Sequence, residues 1–327
     1  MTATDVLLNV DNLNIQFRLG EEYAGAVRDL TLELQAGETL GLAGESGCGK
    51  STAALGIMNL LPDNGRISSG RIIFQGQDLA KLSPREIRRV WWKEMAIVFQ
   101  SALNSLNPVK RVGSQIAESL ILRGGLDKKA AWRRVGELFE LIGIRPERAC
   151  DYPHEFSGGM RQRAMIAMSI CLNPKLVIAD ECTTALDVMI QTQIMNLLKT
   201  LKAQLQLSMI FISHDLALIA EICDRVAVMY AGRIVEIGGM EDLFSRPAHP
   251  YVKLLLQSLP KLKGPVEDLA SIPGAPPRLK DVPAGCPFRP RCPICDEECT
   301  RSIPPLIEVA EDHRAACFKT AKMKGNP

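Results

Sequence analysis

The chain has 327 residues, of which 46% are hydrophobic and 23% charged, and its 39 Lys and Arg nearly balance 37 Asp and Glu, giving a formal net charge of +2. That composition excludes a disordered protein, and so slight a basic excess argues against a nucleic-acid binder acting mainly by phosphate neutralisation. No apolar run approaches the roughly 18 residues of a spanning helix, and the first residues lack the basic segment of a secretory signal, so neither is expected.

Up to about Gly239, short β-rich runs alternate with helical patterns, which predicts an α/β domain with a largely parallel sheet over residues 1–245. Residues 38–43 read as a short buried strand. It runs into Gly44, Glu45, Ser46, Gly47, Cys48, Gly49, Lys50 and Ser51, then Thr52 and an apolar-periodic helix. This is the phosphate-loop pattern GxxxxGK[ST] in its strand-loop-helix setting. Glycines let the backbone turn tightly and aim N–H groups at phosphate oxygens. The helix N-terminus adds partial positive charge, Lys50 reaches the β- and γ-phosphates, and the Ser51 hydroxyl ligates Mg²⁺. A merely flexible glycine-rich loop is the weaker alternative.

Further along, Gln100 follows the apolar run 96–99, and residues 127–142 carry an amphipathic helical pattern. Ser157, Gly158 and Gly159 stand before another helix. Residues 175–179 form a β-branched strand ending in Asp180 and Glu181. A carboxylate pair at the C-terminal end of a parallel strand lies where open α/β sheets place their chemistry. Asp180 is suited to the Mg²⁺ shell and Glu181 to accepting a proton from water, while a solvated acidic turn is the bland alternative. Asp187 follows, and His214 sits at the end of a further strand.

Taken in this order and spacing, these motifs resemble the ATP-binding-cassette ATPases. The resemblance implies an α/β fold with a P-loop nucleotide-binding core, a mixed sheet, a helical subdomain inserted at about 101–165 and a small loop-rich C-terminal domain. It implies ATP hydrolysis with Glu181 as general base, His214 on the γ-phosphate, and Gln100 touching Mg²⁺ and water. It also implies that Ser157, Gly158 and Gly159 bind the nucleotide of a partner subunit, that Asp187 bridges the two subunits, and that Phe17 stacks on adenine. The plainer readings are helix caps for Ser157 and Asp187, a surface or capping His214, a polar strand end for Gln100, and a core aromatic for Phe17, with Tyr23 as its rival. Three places depart from the family pattern: Cys48 replaces a small hydroxyl residue, Cys182 replaces a Pro, and Ser101 with Ala102 replaces an acid-Pro pair. None removes a phosphate ligand, a metal ligand or the base. Thiol modification at Cys48 or Cys182 is expected to inhibit.

From residue 246 to 327 the texture changes, with prolines at 250, 260, 265, 273, 276, 277, 283, 287 and 290 that exclude long helices and central strands. Residues 249–260 and the later Pro273, Gly274, Gly285, Cys286 and Pro287 resemble the C-terminal extension of dipeptide, oligopeptide and nickel importer ATPases. Five of the ten cysteines lie here, spaced C-x5-C-x2-C-x3-C-x17-C. Cys286, Cys292, Cys299 and Cys317 match the four-thiolate iron–sulfur site of that branch, which implies a [4Fe–4S] cluster; Zn²⁺ and metal-free thiols are the alternatives, and Cys295 is left over. Disulfides are not expected in the reducing cytosol.

The resemblance thus implies a subunit energising import of di- or oligopeptides, or alternatively of nickel or another small solute. It would sit peripherally on the cytoplasmic face of the cell membrane, with a second ATPase subunit that is a different chain, two permeases and an extracytoplasmic binding protein. A soluble ATPase remodelling nucleic acid or ribosomes is the alternative of another class, and a redox module with a vestigial ATPase is a third. The transported solute is not written in this chain.

Overall fold

The structure, a computed structural model, describes residues 6–99, 105–184, 186–258 and 272–323. It comprises two compact units. The first gathers residues 1–7, 34–39 and 81–212, and the second residues 8–33, 40–80 and 213–327.

In the first unit, strands Met95–Val98, Leu176–Asp180 and Ser208–Ile212 pair in parallel, with Met95 opposite Leu176 and Leu176 opposite Ser208. The last two are buried at every position, as expected for parallel strands covered on both faces. Helix Gly158–Ile170 packs against Met95–Val98, and helices Val112–Leu122, Lys128–Leu141 and Val188–Leu205 each pack against that helix. The amphipathic pattern over 127–142 becomes one helix. Asp127 caps it by accepting the Ala130 N–H at 2.9 Å, and Ala131, Val135, Leu138 and Phe139 form its buried stripe. Phe139 meets Phe156 edge to face at 6.4 Å, fixing the segment that leads into Ser157.

In the second unit an antiparallel sheet runs in the order Glu22–Gln35, Val6–Leu19, Gly65–Phe74, Gln77–Asp78. Strand Thr39–Ala43, buried throughout, pairs in parallel with Arg225–Tyr230, so the strand expected at 38–43 is present. Arg225–Tyr230 then turns through Ala231 and Gly232, both at positive φ, into Arg233–Gly239. Two positive-φ residues give a turn whose twist matches a hairpin.

Repeated prolines predict a tail without central strands, and the structure differs. His313–Ala315 pairs antiparallel with Arg233–Gly239, placing Glu236 opposite Ala315, and Ile307–Ala310 pairs on its far side. Strands of three and four residues carry almost no periodic signal, and their partner lies about eighty positions away. Glu236, fully buried, organises this junction. Its carboxylate accepts the N–H groups of Ala248 and His249 at 2.8 and 2.6 Å and lies 2.8 Å from His313 Nε2.

His249 caps helix Pro250–Gln257 through Nδ1, which accepts the Tyr251 N–H at 3.1 Å. Burial pushes its imidazole down to about 3 from the ordinary 6.5. The folded protein therefore binds this proton more weakly than the unfolded chain does, so the stability tied to His249 is complete above about pH 6.5 and is lost as the pH falls toward 3. At ~1.4 kcal/mol per pH unit, the loss at pH 5 is about 2 kcal/mol. Chemical denaturation at pH 7 and pH 5 should show that much more acid loss for the wild type than for His249→Asn, which keeps a capping acceptor but does not titrate. Equal acid losses would refute this assignment.

Candidate functional site

The phosphate loop begins where the buried strand Thr39–Ala43 ends. Gly44, Gly47 and Gly49 all have positive φ, at 138°, 79° and 106°. Gly44 has no alternative, since a Cβ there would stand 2.3 Å from the Met229 carbonyl oxygen. A Cβ at Gly47 meets nothing within 4 Å, so the loop is open on that side. Lys50 is 4% exposed and curls back, its ammonium donating to the Gly44 and Glu45 carbonyls at 2.7 and 3.1 Å. No side chain caps helix Lys50–Ile57 at Gly49, so no capping group takes the place of an anion at its N-terminus. Ser46 and Ser51 are exposed and Thr52 is half-buried beside this opening. Tyr251 Oη accepts the Glu45 N–H at 3.0 Å, and Arg291 holds the Glu45 carboxylate, so this residue anchors the loop by backbone and side chain together.

In the first unit, Asp180 is 7% exposed at the end of strand Leu176–Asp180. Glu181 follows at φ 45°, left-handed for a residue with a side chain. Its N–H donates to Ile212 O at 3.0 Å, and Thr184 Oγ1 donates to its carboxylate at 3.4 Å. A non-glycine residue held there costs about 1–3 kcal/mol and points to a constrained functional side chain. Where the family pattern has Pro after the base, Cys182 is 1% exposed, and the turn is stitched by Thr184 N–H to Glu181 O at 3.1 Å and by Gln191 Nε2 to Thr183 O at 3.1 Å.

Ser157 is exposed and caps helix Gly158–Ile170, its hydroxyl accepting the Met160 N–H at 3.3 Å. Gly158 and Gly159 form the first turn. A Cβ at Gly159 would press to 2.8 Å of Ile190, so this glycine lets two helices approach closely. Asp187 caps helix Val188–Leu205 by accepting the Ile190 N–H at 2.9 Å, beside exposed Val188 and Met189. In the second unit, Ser213 N–H donates to Leu42 O at 3.3 Å, His214 is exposed, and Asp215 caps helix Leu216–Ile222. Phe17 packs half-buried against Gly65, whereas Tyr23 is 46% exposed with the Arg66 guanidinium 3.6 Å over its ring. Gln100, Ser101 and Ala102 lie outside the described residues.

The cysteines depart from their expected roles. Cys48 and Cys182 are both buried, and burial raises each thiol, Cys182 to about 12. Thiolate is the reactive form, so these positions are shielded from modification, contrary to the inhibition expected from their place in the motifs. In the tail, Cys286, Cys292, Cys299 and Cys317 are neighbours, and all five tail thiols are unbridged, with Cys295 exposed. Yet among the described residues no group of three or more Cys, His, Asp or Glu side chains is placed to hold a metal ion. The expected [4Fe–4S] cluster or Zn²⁺ therefore gains no support from a preformed ion site among these residues. No step below passes through a tail metal.

Residues 27–184 match the ABC transporter family, and residues 235–299 match the C-terminal region of oligopeptide/dipeptide transporters. Over 318 residues, 96% of this chain and 94% of the relative, the sequence is 46% identical to the oligopeptide transport ATP-binding protein OppD of Escherichia coli. The chain belongs to the ABC transporter ATP-binding family. It is also 43% identical over 315 residues to the dipeptide transport ATP-binding protein DppD of Bacillus subtilis, covering 95% of this chain and 94% of that one. Among solved structures, a dimeric ATP-binding cassette bound to ADP and phosphate matches at TM-score 0.64 and 25% identity, covering 71% of this chain and 98% of that one. A cassette of an ABC transporter complex from Clostridium perfringens matches at TM-score 0.65 and 28% identity, covering 74% and 92%. These likenesses bear out the expected mixed α/β cassette fold.

This cassette is an ATPase whose hydrolysis is coupled to transport. No helix among the described residues is long and apolar enough to cross a membrane. Its phosphate loop fits ATP, with an open glycine cradle, an uncapped helix start and a buried cation. Ser51 in the second unit carries a hydroxyl oxygen and Asp180 in the first a carboxylate, each a donor type that Mg²⁺ prefers. Sequence reasoning missed Arg291, Tyr230 and the Glu236 junction. Arg291 lies 246 positions from Glu45, a separation over which no local pattern speaks.

Proposed function

We propose that this chain is the ATP-binding and hydrolysing subunit of an importer for di- or oligopeptides. The observation that carries the reading is the loop of residues 44–51, with three left-handed glycines, open space beside Gly47 and Lys50 turned onto the loop carbonyls. The peptide assignment is supported by relatives whose names specify oligopeptide and dipeptide transport.

In this reading Gly44, Ser46, Gly47, Cys48, Gly49, Lys50, Ser51 and Thr52 surround the ATP phosphates, with Glu45 bracing the loop, and Phe17 supports the adenine. Lys50 leaves the loop carbonyls for the β- and γ-phosphates, exchanging neutral partners for charged ones. Ser51, Asp180 and Gln100 would hold Mg²⁺, which would offset phosphate charge when bound. Glu181 takes the proton of the attacking water, and His214 positions that water and the γ-phosphate. Ser157, Gly158 and Gly159 complete a second subunit's nucleotide site, and Asp187 lies between the subunits. ATP closes the pair and hydrolysis reopens it, moving two permease subunits that receive solute from an extracytoplasmic binding protein. The subunit is then peripheral, on the cytoplasmic face.

Co-purification with the permeases and reconstitution into proteoliposomes tests this reading. ATP-dependent accumulation of labelled di- or oligopeptide, absent without ATP, is expected. Accumulation of nickel but not peptide, or ATPase activity stimulated by RNA or ribosomes instead, would overturn the assignment.

A further inference from the structure

Arg291 is buried yet charged, its side chain 4% exposed. It lies in the short turn Arg289–Arg291, between Cys286 and Cys292 of the tail. Its two terminal nitrogens reach the two oxygens of Glu45 at 2.6 and 3.0 Å, a fork-to-fork pair. Nε donates to Pro273 O at 2.8 Å, and Tyr230 Oη lies 3.4 Å from Nη1, so the guanidinium has little freedom to turn. Tyr251 Oη takes the Glu45 N–H from the neighbouring side. Tyr230, Tyr251 and Phe288 pack with ring centroids 4.8 to 5.3 Å apart and fix the two hydroxyls.

We infer that Arg291, with Tyr251, is a positioning residue for ATP binding: the tail holds the phosphate loop in its binding-competent shape by clamping Glu45. The inference rests on residues 44–51 being the ATP site. A loop with three glycines at positive φ has many conformations available when unrestrained, and apparent affinity falls in proportion to the competent fraction. A buried arginine without its carboxylate is an uncompensated charge, so releasing Glu45 destabilises the clamped arrangement from both ends. Neither residue approaches the reacting atoms. Loss of the clamp therefore acts on binding and leaves the chemical step to Glu181.

The test uses the full chain, with a fluorescent ATP analogue for binding and phosphate release for turnover. Arg291→Ala should raise the dissociation constant and the KM for ATP about tenfold, roughly the worth of one charge-assisted pair, while kcat changes less than about threefold. Arg291→Lys, which restores charge without the fork, should recover part of the affinity. Glu45→Gln should weaken binding similarly, and the double variant should be no worse than the weaker single variant, because both break one interaction. If Arg291→Ala does not fold, Glu45→Gln alone decides, and wild-type affinity in it overturns the inference. So does a fall in thermal stability with unchanged ATP affinity, or strictly additive losses in the double variant. Lys50→Ala separates the two levels: if it too binds ATP normally, the site assignment fails, whereas normal binding in the Arg291 and Glu45 variants alone overturns only the clamp.

Discussion

A Glu181→Gln variant is expected to bind ATP about as tightly as the wild type and to hydrolyse it at least about 100-fold more slowly. The substitution is nearly isosteric. Its amide oxygen can still accept from Thr184 Oγ1, and the Glu181 N–H to Ile212 bond is untouched. What is removed is basicity, and a positioned general base contributes about 10²–10⁴ in rate. The left-handed backbone at Glu181 makes the comparison cleaner, since glutamine meets the same conformational cost and no new strain enters. Single-turnover ATP hydrolysis, with analogue binding measured in parallel, gives both quantities. Turnover within about threefold of wild type would remove Glu181 from its assigned role. With hydrolysis blocked, the ATP-bound assembly with a second subunit should also persist longer on gel filtration.

Removing the Lys50 ammonium should weaken ATP binding about 100-fold or more with little change in stability. In the structure that ammonium satisfies two loop carbonyls at 2.7 and 3.1 Å. Lys50→Ala loses those bonds, but it also vacates the space the buried side chain fills, where water can satisfy the two carbonyls, so the folded state loses little. The nucleotide has no such substitute. It forfeits charge-assisted bonds worth about 1.5–3 kcal/mol each, and two of them correspond to a factor of about 100 or more. Analogue titration and thermal melting together test this. Preserved affinity would show that the phosphates bind elsewhere, and a large drop in melting temperature would show that Lys50 is chiefly structural.

The two variants separate the functions of two sequence patterns. Lys50 stands where left-handed glycines shape the loop, and Glu181 stands where a buried strand ends. Both were legible locally because phosphate binding and base catalysis each need particular residue types at short fixed spacing. The same holds for Ser157 and Asp187, whose capping bonds span only three residues. The cysteines show where such reading stops. Their spacing resembles a four-thiolate site, but spacing says nothing about how sulfurs separated by up to seventeen residues are arranged in space, and no ion site is preformed among the described residues. Cys48 and Cys182 likewise stand in exposed motifs by sequence, and only packing reveals that their thiols are buried.

By itself the sequence determined the α/β class, the phosphate loop, the acidic strand end and the family, because each is carried by hydrophobic period or by contiguous motif. The tertiary structure decided how the tail is used. Its short strands join Arg233–Gly239, Glu236 gathers three donors around a buried carboxylate, and Arg291 reaches Glu45 across 246 positions. Hydrogen bonds and ion pairs depend on distance in space, and for residues so far apart along the chain that distance is set only by the folded packing of everything between them.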